Sequence, residues 1–399
     1  MKIGIIREEK NPPDSRVPLT PTQVAELRKN GWDIVVQPSS GRCYADEEYD
    51  RLGIPMEENL MDRDLLLGVK EVPPSLFIPH KTYFIFSHTI KEQPYNKPLI
   101  RQVLEKKVTL IDYEVLTDNQ GARVIAFGKY AGMVGAHNAL WTYGQKTGSF
   151  QLPRMHTLTD YAAATEVYKK TTFNPLKIVL TGTGRVATGS AQVLGDMGIE
   201  KVRPIDFVTK DYNHPVYTQL NSFYYAKRKD GSVFDDVQDF YTRPEKYDSD
   251  FDHFISVADI MINGIYWDTQ APAFFTTDQM KRKDFNIQVI SDVTCDIAPE
   301  SSIPSTLKAS TIADPVFGYD PMSEGEVPAF SQGCIDMMTI DNLPNELPRD
   351  ASQAFGQMFI DHVLPELLRP ESKMIEKATI ALEGDLGPHF QYLKDYASI

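Results

Sequence analysis

Along the first 120 residues, short apolar runs alternate with stretches of helical period. The runs at 2–6, 33–36, 65–69, 83–87 and 108–113 read as strands, separated by Pro-containing turns and by a helical pattern near 98–105. Thr20-Pro21 supplies a helix N-cap followed by proline at the first helical position; Val24, Leu27 and Arg28 continue the helix and Gly31 stops it. This alternation predicts an α/β layer on a small parallel sheet. From 126 to 147 the chain turns to small residues, Gly128, Ala131, Gly132, Gly135, Ala136 and Ala139, set among Tyr130, His137 and Trp141. That spacing predicts a tightly packed helix connecting two domains. A second unit opens with the buried strand 175–180 and runs at least to Ile312. Within it, residues 210–250 are polar, rich in Tyr, Asp and Lys, and without sustained period, which predicts a long surface excursion, either a solvated insertion or a lid. A last helical pattern covers 340–368, with Pro344 and Pro348 ahead of Ala354, Met358 and Val363.

The length, 399 residues, accommodates two or three domains of roughly 150 residues each. The 41 Lys+Arg against 55 Asp+Glu give a net charge of −14, which argues against a nucleic-acid or anionic-membrane partner while allowing a local basic pocket. No apolar run approaches the roughly 18 residues of a membrane span. Met1 leads straight into the 2–6 strand with no signal-peptide pattern, so a cytoplasmic protein is expected. Cys43, Cys295 and Cys334 are widely spaced with no CxxC, which suggests neither a disulfide framework nor a thiolate metal site.

The strongest motif is Gly182-Thr183-Gly184-Arg185-Val186-Ala187, directly after a strand and ahead of a helix carrying Ala191, Val193, Leu194 and Met197. In that strand–turn–helix context GxGxxA reads as a dinucleotide loop. Gly182 permits the tight turn, Gly184 lets a pyrophosphate approach the backbone, and Ala187 lets the helix pack on the strand. Asp206 follows 24 positions after Gly182, at the end of the next β-like run. A carboxylate there accepts hydrogen bonds from an adenosine ribose and repels a 2′-phosphate, which favours NAD over NADP, although Lys210 nearby weakens the preference. A Rossmann-like unit of this kind is not by itself proof of redox chemistry.

In open α/β sheets ligand sites lie at the C-terminal strand ends. Lys70 and Glu71 end one such run, His88 ends the next with Lys91 three residues on, and Glu114 ends a third. A lone lysine or histidine in such a place is ordinarily a solvated turn residue; two parallel strand ends delivering both to one edge make acid–base chemistry a serious alternative. Arg16 and Arg123 are fork-shaped donors suited to carboxylates, and Glu114 would either tune a nearby cation or form a surface ion pair.

These residues resemble, in order, the alanine dehydrogenase and transhydrogenase superfamily. Arg16-Val17-Pro18-Leu19-Thr20-Pro21, Gly68-Val69-Lys70-Glu71-Val72-Pro73, Phe86-Ser87-His88 with Lys91, and Asp112-Tyr113-Glu114-Val115-Leu116 carry the likeness. Arg123-Val124-Ile125-Ala126-Phe127-Gly128, Ile262-Asn263-Gly264, Ser291-Asp292-Val293-Thr294-Cys295-Asp296 and Leu347-Pro348-Arg349 narrow it to the lysine-forming saccharopine dehydrogenases. The resemblance implies two Rossmann-like domains with parallel sheets. The first, for substrate, is discontinuous (1–135 plus 330–399); the second, for NAD, covers 136–329, and the active-site cleft lies between them. It further implies Lys70 and His88 as the acid–base pair, Arg16, Lys91, Arg123 and Phe127 as substrate contacts, and Glu71 and Glu114 as residues of the substrate pocket that tune charge. Gly182, Gly184, Arg185, Val186, Asp206, Ile262, Asp292 and Val293 would line the cofactor, with no metal required.

The implied activity is NAD-dependent oxidation at the CH–NH group of an amino acid, with saccharopine yielding lysine and 2-oxoglutarate as the leading reaction. An alanine dehydrogenase-like activity and a non-catalytic NAD-binding subunit of transhydrogenase type are the alternatives. Thr89-Ile90 between the histidine and the lysine, Pro94-Tyr95-Asn96, and Ala122 beside Arg123 depart from the pattern on the amino-acid side of the pocket.

Overall fold

Strand β1 (Lys2–Ile5) pairs in parallel with β2 (Asp33–Val36) on one side and β3 (Leu65–Leu67) on the other; β4 (Thr82–Ile85) and β5 (Thr109–Asp112) extend the sheet in parallel beyond β3. The protein is described by a computed structural model covering residues 1–398. Among these residues the first sheet has seven strands, completed by the antiparallel pair Thr379–Leu382 and Asp385–Leu386 from the end of the chain. Both faces are covered, which is why the central strands are near-continuous apolar runs. With a side-chain period of two, Leu65 and Leu67 join one core with Val24 and Leu27 of α1 (Pro21–Lys29), Tyr49 of α2 (Asp46–Asp50), Phe355 and Phe359. Leu66 joins the opposite core with Leu99, Ile100 and Val103 of α3 (Lys97–Glu105). Thr20 caps α1 as its position predicts: its hydroxyl accepts from the Gln23 amide, and Gln23 Oε1 accepts from the Thr20 amide at 3.0 Å.

The chain divides into two units, Met1–Phe127 with the chain from Pro348 onward, and Gly128–Leu347. The second unit holds helices α4 (Gly128–Thr147) and α5 (Tyr161–Tyr168), strand β6 (Lys177–Thr181) and α6 (Arg185–Asp196). Next come β7 (Glu200–Lys201), α7 (Pro204–Thr209), β8 (Val216–Leu220), α8 (Ser222–Tyr225), β9 (Ala226–Arg228), α9 (Val237–Thr242) and β10 (Tyr247–Ser249). Strands β11 (Ile260–Asn263), β12 (Val289–Asp292), β13 (Val316–Asp320), β14 (Gly325–Val327) and β15 (Ile335–Met338) follow. The sheet order is β14-β13-β15-β12-β11-β6-β8-β7, with β9 and β10 a separate antiparallel pair.

Two sequence expectations change. The units divide at 127/128 and 347/348 rather than near 135 and 330, because β13 and β15 are hydrogen-bonded into the second sheet and α4 lies wholly within the second unit. Within the helical pattern over 340–368 the helix starts at Pro348, beyond Pro344, where the sequence places its beginning. Residues 210–250 are not one surface excursion: β8 is a buried strand wedged between β6 and β7. The Thr218 hydroxyl within it donates to the Val202 carbonyl at 3.1 Å, so this polar group is satisfied inside.

The small residues of α4 do allow close approach. A Cβ on Gly132 would stand 1.8 Å from the Val186 carbonyl oxygen of α6, so only glycine permits this crossing.

Candidate active site

Parallel strands deliver their C-terminal ends to one edge, and in the first unit four of them bring ionisable residues there. Lys70 and Glu71 follow β3, His88 follows β4, Glu114 follows β5, and Glu8 and Lys10 follow β1. Glu71 Oε1 lies 2.5 Å from His88 Nδ1, and Glu71 Oε2 lies 2.9 Å from Lys10 Nζ. Burial alone would raise the Glu71 carboxyl; the His88 and Lys10 contacts outweigh it and bring the group down to about 2. An ionised carboxylate only accepts, so Nδ1 carries the proton and Nε2 is the nitrogen able to take or give one. His88 itself sits in the left-handed region at φ 52°, its ring stacked at 6.3 Å on Phe86.

Burial, then the charges of Arg16 and Lys10, push the Lys70 ammonium down to about 8, against the opposing pull of Glu71 and Asp14. Its backbone amide is held at 2.9 Å by Glu8, which also accepts from the Val69 amide at 2.6 Å. Burial and the neighbouring Asp14 push the Glu8 carboxyl up to about 8, against the two amide hydrogen bonds. Neither Glu8 nor Lys10 was singled out from sequence, although applying the strand-end rule to β1 would have found both.

Arg16 differs from expectation. It is 2% exposed, and its Nε and Nη2 donate to Asp14 Oδ1 and Oδ2 at 2.9 and 2.5 Å, with the guanidinium 4.2 Å above the Phe127 ring. Those two donors, expected to meet a substrate carboxylate, already hold one from the chain itself. Phe127 stacks on Phe355 at 5.3 Å. Lys91 and Arg123 are more open and converge on one carboxylate oxygen, Glu114 Oε1, at 3.6 and 3.7 Å.

In the second unit β6 ends at Thr181, Gly182 turns the chain at φ 98°, and Gly184 is the N-cap of α6 without a side-chain cap. A Cβ on Gly182 would lie 2.6 Å from the Gly264 carbonyl oxygen, whereas one on Gly184 would meet nothing within 4 Å. Open space against the backbone at a helix N-terminus fits a dinucleotide pyrophosphate. Arg185 and Val186 open α6 at that turn.

Other expected cofactor positions are corrected. Asp206 does not end a strand: it lies in the first turn of α7, with Oδ2 2.7 Å from Arg203 Nε and Oδ1 3.0 Å from Lys210 Nζ. The strand beside β6 is β8, and at its end Gln219 Nε2 donates to the Gly182 carbonyl at 3.0 Å while Gln219 Oε1 accepts from Lys201 Nζ at 2.7 Å. Sequence reasoning missed Gln219 because β8 was hidden in the polar stretch. Ile262 is sealed in the core, and Gly264 beyond it meets the glycine turn. Asp292 is fully buried and accepts internally from Thr306 Oγ1 at 2.6 Å and Asn263 Nδ2 at 2.9 Å, so it braces the loop. Burial pushes its carboxyl up. Val293 packs against α4 at Gly135. Among the described residues no group of His, Cys, Asp and Glu is arranged to hold a metal ion, and no helix is long and apolar enough to cross a membrane.

Residues 4–134 match the family described as alanine dehydrogenase/PNT, N-terminal domain. The chain is 30% identical to mouse mitochondrial alpha-aminoadipic semialdehyde synthase over 441 aligned residues, covering 98% of this chain and 47% of that protein. It therefore spans about half the length of that relative. It is 27% identical to the Neurospora crassa saccharopine dehydrogenase [NAD(+), L-lysine-forming], with 91% of this chain and 90% of the other covered. An L-alanine dehydrogenase structure superposes with a TM-score of 0.67 at 18% identity, covering 100% of both chains, a likeness of fold. Two α/β units, the first completed by the chain from Pro348 onward, with ionisable strand ends and a glycine turn, share the fold of L-alanine dehydrogenase, and residues 4–134 carry the alanine dehydrogenase/PNT N-terminal domain. Over nearly its whole length the chain is similar to saccharopine dehydrogenase and to about half of alpha-aminoadipic semialdehyde synthase.

Proposed function

We propose that this protein is an NAD-dependent oxidoreductase acting on the CH–NH group of saccharopine, with lysine and 2-oxoglutarate as products. The observation that carries the reading is the triad at one sheet edge: Lys70 with its ammonium brought down to about 8, and His88 held through Nδ1 by an ionised Glu71. Bound at the Gly182–Gly184 turn, a nicotinamide dinucleotide would supply the hydride acceptor. Lys70 takes the proton from the secondary amine. His88, through Nε2, serves the proton transfers by which water adds to the imine and the amine leaves. Glu71 keeps His88 in the working tautomer, and Lys91 and Arg123 supply exposed positive charge for a polycarboxylate in a chain of net charge −14. The similarity to the Neurospora saccharopine dehydrogenase [NAD(+), L-lysine-forming] supports NAD as the cofactor. Cys43, Cys295 and Cys334 are all free thiols, which supports a reducing compartment such as the cytosol.

The test is spectrophotometric. Wild-type protein with saccharopine should reduce NAD, and Lys70→Met combined with His88→Gln should lose at least about 100-fold in rate. Unchanged turnover in the double variant overturns the assignment. Ammonia release from a small free amino acid would move the reading to an alanine dehydrogenase-type activity. Dinucleotide binding with no turnover of any amine or oxo acid would move it to a binding subunit.

A further inference from the structure

Four buried polar side chains, Ser87, Thr89, Asn96 and Asp112, surround the turn that carries His88, each at most 4% exposed, and the acid–base chemistry above uses none of them. Parallel register brings Ile85 of β4 level with Asp112 at the end of β5, but it does not choose the turn by which either chain leaves its strand. At His88 that turn is left-handed, a region that a residue with a Cβ holds only where its surroundings impose it. The Asp112 carboxylate meets the turns after both strands. Its Oδ2 accepts from the Ser87 amide at 3.0 Å and from the Ser87 hydroxyl at 2.5 Å; its Oδ1 accepts from the Glu114 amide at 2.7 Å. The Ser87 hydroxyl oxygen in turn accepts from the Thr89 amide at 3.3 Å, and Asn96 Nδ2 donates to the Ser87 carbonyl at 2.8 Å. The residues on both sides of His88 are thus tied, directly or through one hydroxyl, to a single carboxylate.

We propose that Asp112 is a positioning residue for the acid–base site: it fixes His88 and Glu114 in one frame, so that the proton-transfer group and the carboxylate facing Lys91 and Arg123 keep constant places relative to each other. The inference rests on the acid–base reading above and adds the group that sets its geometry. Asp112 is 0% exposed, so it acts through the residues it holds and not on a substrate. A buried hydrogen-bond network whose members are satisfied is stiff, and a proton-transfer group loses rate steeply when its aim is loose. The residue type is specific. Both carboxylate oxygens meet a backbone N–H, which only a side chain with two accepting atoms can satisfy. Asparagine has the same shape but one accepting oxygen, so its amide nitrogen would face the Ser87 or the Glu114 amide donor to donor. The far end of the frame matters for binding, because Lys91 and Arg123 converge on Glu114 Oε1.

The experiment is steady-state kinetics of Ser87→Ala and Asp112→Asn in the full chain with saccharopine and NAD, with rates expressed per folded molecule from denaturant unfolding. Ser87→Ala loosens the His88 side alone and should lower kcat about threefold or more, with KM for saccharopine within about twofold of wild type. Asp112→Asn loosens both turns and should lower kcat at least about tenfold and raise that KM about threefold or more. A purely structural role lowers the unfolding midpoint but leaves kcat per folded molecule and KM at wild-type values in both variants, and that result overturns the inference. If Asp112→Asn fails to fold, the kcat of Ser87→Ala decides. Wild-type protein that turns over neither saccharopine nor any other amino acid overturns the reaction reading alone. Crystal structures of the folded variants then decide the positioning role: His88 leaving the left-handed region supports it, and unchanged geometry at both His88 and Glu114 overturns it.

Discussion

Glu71 and His88 stand level on adjacent strands: each lies four positions beyond a paired residue, Glu71 beyond Leu67 and His88 beyond Phe84, and their side chains meet at 2.5 Å. Parallel register alone therefore places the carboxylate on the imidazole. Glu71 also raises the Lys70 ammonium against the stronger effects that lower it. Glu71→Gln should move the Lys70 titration further below about 8 and cost about tenfold in kcat as His88 loses its orienting partner. The check is kcat/KM against pH for wild type and variant; a rate loss without displacement of the profile would contradict the coupling.

Lys70 makes a second prediction, on stability. Its folded-state ammonium titrates near 8 against 10.5 as the ordinary value. Between those limits the unfolded chain binds more protons, so wild-type stability should rise with pH through that window, and the penalty is fully present below it. Lys70→Met should remove that rise and be more stable than wild type at pH 7. Denaturant midpoints at pH 7 and across pH 8 to 10.5 measure the effect.

The Arg16–Asp14 pair is buried on both sides, at 2% and 1% side-chain exposure. Arg16→Met leaves the Asp14 carboxylate without its fork and should destabilise by about 3–5 kcal/mol. Arg16→Met with Asp14→Asn should recover part of that loss, since no unpaired charge remains. Thermal or urea unfolding of the three proteins reads the difference.

Coenzyme choice should follow β8 rather than α7. Asp206→Ala is expected to leave the ratio of kcat/KM for NAD and NADP within about twofold, because Arg203 and Lys210 absorb that carboxylate. Gln219→Glu puts a negative charge beside the Gly182 carbonyl and should turn the ratio toward NAD by about tenfold. The reverse pattern would return the role to Asp206.

Gly132→Ala tests the helix crossing. Intrinsic propensity favours alanine by about 1 kcal/mol, but the added methyl collides with a carbonyl oxygen that cannot rotate away. The clash should win, with a net loss of about 1–3 kcal/mol seen as a lowered Tm.

Much of this was legible from pattern. The strand runs of the first sheet, the Thr20 cap and the glycine turn all depend on neighbours a few residues apart, and periodicity reads such features directly. Lys70 and His88 were singled out because strand ends are predictable places for chemistry, and both do follow the ends of parallel strands. The bidentate lock of Arg16 on Asp14 was not legible, since residue type cannot tell a fork open to substrate from one closed on its own chain. Strand β8 was missed because Thr218 and Gln219 look solvent-facing until the partners that satisfy them, Val202 and Gly182, are known. The carboxylate expected at the end of the second strand was sought in α7 for the same reason.

The return of the chain to its first unit has a bearing on how the protein is made. Phe355 and Phe359 sit in the core under β1, β3 and β4, and Thr379–Leu382 closes the sheet against β5. These segments leave the ribosome after residues 128–347, which emerge as one uninterrupted stretch with both faces of its sheet covered from within. Synthesis thus orders assembly: the unit of residues 128–347 can fold during translation, while the first unit waits for the chain from Pro348 onward. A chain stopped before Pro348 would carry Lys70 and His88 on an open core, exposing the apolar faces of its strands to chaperones and proteases rather than to substrate.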